Sequence, residues 1–328
     1  MNPIGIPNLD KTLEASLLAD MAKVESLLRS HIEGDYPLVI ETSRHLVEAG
    51  GKRLRPLLTL LAAQFGDPTN FDIIKAAVSC ELTHLATLYH DDVMDDALLR
   101  RGVTSANTKW GNAVAILTGD YLFSKVSDML ADIGPEAVKL QAKTFERLVI
   151  GQIKETQGAT EGLTPIEHYL KVVSDKTGSL IATSARFGAL LSGAKPEVVE
   201  ILTKFGEKIG IAFQIADDLL DVVSDSTASG KTPGTDLKEG VPTLVTLYVI
   251  NANAPEDKEL IAKLSKPISE EEVSSVILQL RSHRALTQVR EYLAKIATEA
   301  NSLLEGLPNG AAKEALKNVA FVLVNRST

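Results

Sequence analysis

Pro196–Val223 reads PEVVEILTKFGEKIGIAFQIADDLLDVV, a long helical segment that opens on a proline, the residue that suits a first helical turn. Near its end lies Gln214-Ile215-Ala216-Asp217-Asp218-Leu219-Leu220-Asp221. Apolar residues surround these aspartates, which indicates that the acidic end of the helix is embedded in a core. Carboxylates gathered there would repel one another unless a cation neutralised them.

Helical patterning extends from this segment in both directions along the chain. Apolar residues recur at steps of three and four from Leu13 to Ile32, and four further long segments are Asp72–Leu99, Ala113–Asp132, Pro135–Thr156 and Pro165–Ser192. The stretch Ser224–Gly240 has the glycine, proline and serine content of a loop, and helical pattern resumes from Thr243 to Val324. No alternating strand pattern, repeat or linker stands out. The sequence predicts one all-α domain, residues 1–328, with about a dozen helices.

The composition narrows the class of protein. The chain has 328 residues, of which 45% are hydrophobic and 23% charged, as in an ordinary soluble globular protein. Its net charge of −9 disfavours a nucleic-acid binder but leaves room for anionic substrates, because a local basic cluster can lie in an acidic protein. The single cysteine, Cys80, excludes an internal disulfide and favours a cytoplasmic protein. We expect no signal peptide and no membrane span.

A second acidic motif occurs earlier, in His90-Asp91-Asp92-Val93-Met94-Asp95-Asp96. At about 100° per residue, Asp91 and Asp95 differ by only about 40° around the helix axis, so they can share one cation. Asp217 and Asp221 repeat this spacing. Magnesium fits such sites, because it binds few protein carboxylates and completes its shell with water and phosphate oxygens. A single motif of this kind could be a solvated acidic face, whereas two on long apolar helices favour metal binding.

Basic residues accompany the acidic motifs. Gly50-Gly51-Lys52-Arg53-Leu54-Arg55-Pro56 lies between two helical segments, and Arg100-Arg101-Gly102 follows the first acidic motif. Arginine forks suit phosphate oxygens. His84 lies seven residues before Asp91, within about 20° on the same helix face. Lys176-Thr177-Gly178 and the loop Gly230–Asp236 are weaker signals, since either could be a cap or a turn.

These motifs together resemble the trans-isoprenyl diphosphate synthase (polyprenyl synthetase) family. The resemblance covers about Gly50 to Thr243. The sequence around the motifs is most similar to that of bacterial long-chain members that make quinone side chains. It implies an all-α bundle around a deep central cavity and a magnesium-dependent prenyltransferase that condenses an allylic diphosphate with isopentenyl diphosphate, trans and head to tail. It also implies about three Mg²⁺ ions per active site and a homodimer.

The resemblance also implies a role for each matching residue. The isopentenyl diphosphate site would comprise Lys52, Arg55, His84 and Arg101. The allylic diphosphate and its magnesium ions would be bound by Asp91, Asp95 and Arg100, with further contacts from Lys176, Thr177, Gln214 and Lys231. Asp217 would bind the third ion, with Asp221 beside it. Asp92 and Asp218 would contact the metal ligands without binding an ion themselves. Catalysis would depend mainly on Asp91, Asp95, Arg100, Lys176, Asp217 and Lys231.

One position departs from the family pattern. Many relatives have a lysine after Glu-Gly in this region, whereas Glu239-Gly240 is followed here by Val241. Lys238 is close in sequence and is a candidate to replace that cation.

Product length would be set by what blocks the tunnel below the first motif. Ser79, Thr83 and Ala86 form a stripe of small residues along one helix face, and no bulky aromatic occupies position 86 or 87. We therefore expect a long product of seven to ten isoprene units, unless these are ordinary packing positions. Phe123 and Met129 are candidates for the tunnel floor.

Four alternatives remain open on the sequence. A terpene cyclase would share the helices and the first motif but lack the second Asp-Asp-x-x-Asp. A non-catalytic subunit of a two-part synthase would have lost carboxylates that this chain keeps, and a geranylgeranyl-length enzyme would differ only in its product. A purely structural bundle would not need basic motifs beside each acidic cluster.

Overall fold

The computed structural model of the chain describes residues 4–34, 36–159, 162–223 and 233–325. Helices dominate these ranges. They are α1 Lys11–His31, α2 Pro37–Glu48, α3 Leu54–Ala63, α4 Asp72–Met94, α5 Ala106–Trp110, α6 Asn112–Ile133, α7 Pro135–Gln157, α8 Pro165–Val173, α9 Ser179–Leu191, α10 Pro196–Val223, α11 Thr235–Glu239, α12 Leu244–Ala252, α13 Lys258–Leu264, α14 Glu270–Ser282, α15 Arg284–Leu304 and α16 Ala311–Asn325. The all-α prediction is confirmed.

Local sequence signals account for several helix starts. The Asp10 side chain accepts hydrogen bonds from the backbone N–H groups of Thr12 and Leu13, both at 3.0 Å, which satisfies donors that the first turn of α1 leaves open. Thr164 and Glu167 form a reciprocal capping box at the start of α8. Pro135, Pro165 and Pro196 begin helices, as their positions in the sequence predict.

The described chain groups into two compact units. The first comprises residues 1–145, 180–206 and 306–316 as far as they are described. Its central element is α4, which packs against α1, α3 and α6. Fully buried side chains such as Leu17, Leu58 and Ile73 come from α1, α3 and α4. This packing fixes the helix whose end carries the first acidic motif.

The second unit comprises residues 146–179, 207–305 and 317–328 as far as they are described. Its apolar core collects buried side chains from α8, the second half of α10, and α12 to α15, among them Ile215, Leu219 and Val289. Helix α12 packs against α8 and α15. The second acidic motif lies on α10 within this unit. The single domain and the central cavity stay predictions.

Four local predictions are wrong in detail. Helix α4 ends at Met94 rather than at Leu99, because Asp95 and Asp96 leave the helical conformation and Asp96 has φ +47°. Two short strands follow, Leu99–Arg100 and Val103–Thr104. Their turn residues Arg101 and Gly102 have φ +53° and +78°, the left-handed pair that a two-residue hairpin requires, and this turn is too short to give an alternating pattern.

The third difference is in the predicted helix Pro165–Ser192. It is divided by a π-turn, Ser174–Gly178, in which the helix widens for one turn before α9 begins. The predicted loop Ser224–Gly240 also contains the short helix α11, where it is described. No helix in the described ranges combines the length and hydropathy needed to cross a bilayer.

Candidate active site

The first acidic motif lies at the C-terminal end of α4. Asp91 is in the last turn and Asp95 caps it, its backbone N–H donating to the Asp91 carbonyl oxygen at 2.9 Å. The Asp91 side chain is half-buried and that of Asp95 is exposed. The carbonyl end of a helix carries partial negative charge, so this end with two carboxylates one turn apart favours a bound cation.

Between them, Asp92 faces inward and is completely buried. Arg100 from the hairpin donates to Asp92 Oδ1 at 2.5 Å, and Asp92 Oδ2 has no hydrogen-bond partner in the described structure. Burial raises the pKa of Asp92, and the charge of Arg100 offsets part of that rise. Asp92 therefore fixes the hairpin to the motif, whereas metal binding is the role predicted for Asp91 and Asp95.

Arg101 connects the hairpin to the glycine loop. Its Nη1 donates to the carbonyl oxygens of Leu46, at 2.9 Å, and of Gly50. The left-handed backbone at Arg101 allows the side chain to reach that loop from a two-residue turn. The hairpin thus joins the first acidic motif to the basic Gly50–Pro56 segment.

Arg53 is a residue that the motif analysis did not single out. It has φ +49°, and its buried guanidinium donates to Glu25 Oε1 at 2.6 Å, to Glu81 Oε1 at 3.0 Å and to the Val47 carbonyl at 3.2 Å. Its partners come from other parts of the sequence, so spacing alone could not find them. Arg53 fixes the loop and is engaged by protein carboxylates.

The two other cations of the Gly50–Pro56 segment differ in exposure. Lys52 is exposed, whereas Arg55 is half-buried. The Nε of Arg55 has no hydrogen-bond partner in the described structure, and burial lowers the pKa of its guanidinium. An arginine still remains protonated, so Arg55 presents a partly desolvated cation.

His84 lies among these guanidinium groups. Burial first, and then the charges of Arg55, Arg101, Arg100 and Arg53, lower the pKa of His84 well below its ordinary value. Arg53 and Arg100 are paired with carboxylates, so Arg55 and Arg101 are the cations of this region that are suited to meet an anion. Such a region in a protein of net charge −9 is suited to a multivalent anion.

In the second unit, Asp217 and Asp221 lie one turn apart near the end of α10. Asp217 is half-buried. The Asp221 carboxylate accepts hydrogen bonds from the backbone N–H groups of Thr235 and Asp236, at 3.2 and 3.1 Å. Asp221 therefore also caps α11, a role that the sequence did not indicate, and any metal ligation would be additional to it.

The central carboxylate of this motif has neutral partners. Tyr169 donates to Asp218 Oδ2 at 2.5 Å and Gln214 Nε2 donates to Oδ1 at 2.8 Å. Thr177 donates in turn to Gln214 Oε1 at 2.9 Å. Burial raises the pKa of Asp218 to about 6, because these hydrogen bonds do not fully offset it and Asp217 adds a like charge.

The π-turn carries Lys176 and Thr177. The Lys176 ammonium lies 2.5 Å from Glu155 Oε2 of α7. Predicted contacts Thr177, Gln214 and Lys176 are thus brought together in this unit, whereas Lys231 lies outside the described residues. Lys238 pairs with Glu270, at 2.6 Å, so its ammonium has a carboxylate partner of its own.

The stripe predicted to set product length lies inside the first unit. Ser79, Thr83 and Ala86 are completely buried. Gln141 of α7 donates to Thr83 Oγ1 at 2.7 Å. Phe123 packs against His90 and Phe145, with ring centroids 5.9 and 4.4 Å apart. Their effect on product length stays a prediction.

The donor sets can be compared with the needs of magnesium. Among the described residues no group of three or more His, Cys, Asp or Glu side chains converges on a point. The carboxylates occur instead as pairs one turn apart. A pair fits Mg²⁺, which is commonly held by one or two carboxylates together with water and substrate phosphate.

Comparisons with known proteins identify the family. The Polyprenyl synthetase family model matches residues 36–280. Nonaprenyl diphosphate synthase of Mycobacterium tuberculosis is 44% identical over 324 residues, which cover 98% of this chain and 97% of the relative. The crystal structure of geranylgeranyl pyrophosphate synthase from Corynebacterium glutamicum, complexed with calcium and isoprenyl diphosphate, is 41% identical with a TM-score of 0.86, covering 97% of this chain and 98% of that one.

A decaprenyl diphosphate synthase from Rhodobacter capsulatus has a similar fold, with 31% identity, a TM-score of 0.87, and coverage of 97% and 99%. The chain therefore belongs to the polyprenyl synthetase family and is a prenyltransferase. The predictions of family, fold class and enzyme class are confirmed. The role of each individual residue stays a prediction.

Proposed function

We propose that the protein is a magnesium-dependent chain-elongating synthase that adds isopentenyl diphosphate to an allylic diphosphate and releases a long-chain polyprenyl diphosphate. The observation that carries this proposal is the Asp91 and Asp95 carboxylate pair at the end of α4, in the same unit as the buried Nε of Arg55, which has no hydrogen-bond partner in the described structure. Two anionic substrates and their metal ions require both kinds of group.

The first step breaks the allylic carbon–oxygen bond, and its electron pair leaves with the diphosphate. Bound magnesium supplies positive charge against that leaving group. Asp91, Asp95 and Asp217 are the residues proposed to hold it. Lys176 and Thr177 donate to diphosphate oxygens in place of their present partners Glu155 and Gln214, and these hydrogen bonds strengthen as negative charge grows on the leaving group.

The second step forms the new carbon–carbon bond. Arg55 and Arg101 bind the diphosphate of isopentenyl diphosphate, and the neutral His84 can donate one ring N–H without adding charge. The double bond of this substrate then attacks the allylic cation. A proton leaves the adduct, for which the departing diphosphate is the proposed base. Positioning and exclusion of water are the main contributions of the protein.

The finer parts of the proposal concern product, assembly and location. A product of seven to ten isoprene units is supported by the long-chain relatives and by the small side chains at Ser79, Thr83 and Ala86. We also propose three ions per site, a homodimer and a cytoplasmic location. Exposed Ile116 and Leu117 on α6 provide apolar surface compatible with a subunit contact. A role in quinone side chains rests on the resemblance alone.

A geranylgeranyl-length product is the second candidate. It is favoured by the Corynebacterium structure, whose 41% identity is close to the 44% of the nonaprenyl relative. Overall similarity therefore does not separate the two products.

One assay tests the function and both candidates. Purified protein is incubated with Mg²⁺, farnesyl diphosphate and labelled isopentenyl diphosphate, and the products are sized by chromatography. We expect label in chains of seven to ten units. Accumulation at four units would establish the second candidate, and no incorporation would contradict the proposed function.

The variant Ala86→Phe tests the tunnel wall. A phenyl ring at this buried position should shorten the product, because it would fill space needed by the growing chain. Thermal unfolding checks that the variant is folded. An unchanged product spectrum in a folded, active variant would show that this wall does not set the length.

A further inference from the structure

The π-turn Ser174–Gly178 presents two of the residues proposed to bind the allylic diphosphate, Lys176 and Thr177. A π-turn is uncommon and inserts one residue into the helical register, so it needs surrounding contacts to persist. The residue immediately before Lys176 is Asp175, which is buried. No role was assigned to Asp175 from the sequence motifs.

Both oxygens of Asp175 are bound by cations of α7. Arg147 Nε donates to Oδ1 at 2.7 Å, and Lys154 Nζ donates to Oδ2 at 2.8 Å. Positions 147 and 154 are seven residues apart, about 20° from one another around the helix axis, so both reach the turn from one face. Burial acts to raise the pKa of Asp175, but these two hydrogen bonds hold it below its ordinary value.

Arg147 also engages the start of the turn. Its Nη2 donates to Ser174 Oγ at 2.7 Å and to Glu207 of α10, and Ser174 Oγ itself donates to Glu207 Oε1 at 2.7 Å. One guanidinium therefore connects two carboxylates and a hydroxyl. Such a charged network holds two consecutive residues of the turn, Ser174 and Asp175.

Helix α7 also approaches the turn at backbone distance. A Cβ placed on Gly151 would come within 2.6 Å of the Lys176 backbone nitrogen, so the absence of a side chain there permits the contact. Two consecutive residues of α7 bind two consecutive residues of the turn, and each pair joins side chains of opposite charge. Lys154 binds Asp175, and Glu155 binds Lys176.

We propose that Asp175 is a positioning residue: held by Arg147 and Lys154, it fixes the π-turn so that the Lys176 ammonium and the Thr177 hydroxyl are placed for the allylic diphosphate. The inference rests on the proposed function and deepens it. Asp175 itself does not bind substrate. Its effect passes through the two residues that follow it.

The variant Asp175→Asn removes the charge and keeps the shape. We expect the KM for farnesyl diphosphate to rise about tenfold, within the roughly 100-fold that a misplacement of about 1 Å can cost. The KM for isopentenyl diphosphate should change less than about twofold, since its proposed ligands lie in the other unit. A general loss of folding would instead lower the apparent kcat and leave both KM values near those of the wild type.

A matched control is available in the same unit. Lys208 Nζ and Glu299 Oε2 form an ion pair of 2.6 Å that does not involve the turn. Glu299→Gln removes a carboxylate from a pair of similar length, and both KM values should stay at the wild-type level. Equal effects of Glu299→Gln and Asp175→Asn would overturn the inference.

A double variant separates positioning from simple stability. In a Lys176→Ala, Thr177→Val background the residues through which Asp175 acts are gone. Adding Asp175→Asn should then change the KM for farnesyl diphosphate by less than about twofold, because effects that act through a shared partner are not additive. A full tenfold increase in that background would overturn the inference.

Two further measurements test the inference if Asp175→Asn does not fold or if the wild-type protein does not elongate farnesyl diphosphate. If Asp175→Asn does not fold, Lys154→Met keeps the Arg147 contact and should raise the same KM about threefold, as expected for loss of one of two charge-assisted hydrogen bonds. If the wild-type protein fails to elongate farnesyl diphosphate, the proposed function fails by itself. Calorimetric binding of inorganic diphosphate with Mg²⁺ then tests the turn, and equal affinity in wild type and Asp175→Asn would overturn the inference.

Discussion

The two Asp-Asp-x-x-Asp motifs have the same spacing on two helices, yet their central aspartates have different kinds of partner. Asp92 is completely buried and is paired with the Arg100 guanidinium. Asp218 accepts from the neutral donors Tyr169 and Gln214, and burial raises its pKa to about 6. The shared spacing therefore determines which carboxylates lie on one helix face, whereas the protonation of the central aspartate depends on its surroundings.

The difference has a physical origin. Positions four apart on a helix share a face whatever surrounds the helix. The central residue points elsewhere, into whatever the fold packs there: a hairpin with a cation beside α4, and a tyrosine of α8 beside α10. The first motif is thus built around an ion pair, and the second around a hydrogen-bonded carboxyl group whose protonation depends on pH.

The largest expected effect is on turnover, from substitution of the proposed metal-binding aspartates that both motifs contain. Asp91→Ala and Asp217→Ala should each lower turnover by about 100-fold or more, because each removes a proposed metal ligand that acts on the developing charge. Steady-state rates at saturating Mg²⁺ measure this, and circular dichroism checks the fold. A wild-type rate in either variant would exclude that motif from catalysis.

A smaller effect should separate the motifs. Arg100→Met leaves a buried carboxylate without its cation and should lower the free energy of unfolding by about 2 kcal/mol, below the roughly 3–5 kcal/mol of a fully buried pair because Arg100 is partly exposed. Tyr169→Phe should cost only about 1 kcal/mol, since Gln214 still donates to Asp218. Urea unfolding at pH 7 measures both.

The control for this comparison is Arg44→Met. Arg44 forms a solvent-exposed pair with Glu33 at 3.2 Å, and such pairs contribute about 0–1 kcal/mol. Equal losses for Arg100→Met and Tyr169→Phe would mean that the ion pair gives the first motif no special stability.

The smallest expected effect is a pH dependence at the second motif. The pKa of Asp218 is raised from 3.8 to about 6, so the folded state holds the proton more tightly than the unfolded chain does. Stability from this group is therefore present at low pH and is lost as pH rises through about 4 to 6. The variant Asp218→Asn has no such loss.

Thermal unfolding in the presence of a metal chelator, from pH 4 to pH 7, measures this difference. The melting temperature of the wild type relative to Asp218→Asn should fall as the pH rises. A constant difference across the range would show that Asp218 is not perturbed in the metal-free protein.

Much of the fold could be predicted from periodicity. The starts of α7, α8 and α10 agree with their prolines, and the helical class followed from apolar spacing alone. The boundaries that were wrong involve backbone conformations with no periodic signature, namely the hairpin at Arg101-Gly102 and the π-turn at Ser174–Gly178. Both carry residues predicted for the active site, Arg101 in the first unit and Lys176 and Thr177 in the second.

Only some residues of the candidate site could be predicted from the sequence. The residues that carry recognisable motifs, such as Asp91 and Arg55, could be named from the sequence. Arg53, Arg147 and Asp175 could not be assigned a role, because their importance depends on partners distant in sequence. Arg53 pairs with Glu25 and Glu81, and Arg147 with Asp175 and Glu207.

The sequence by itself determined the helical class, the paired carboxylates and the basic segments, because each depends on spacing within one helix or one loop. Only the tertiary structure decided which charges are neutralised, which imidazole is neutral and which turn is held. Those properties depend on burial and on contacts between residues far apart in the chain, such as Tyr169 and Asp218, and no local pattern encodes them.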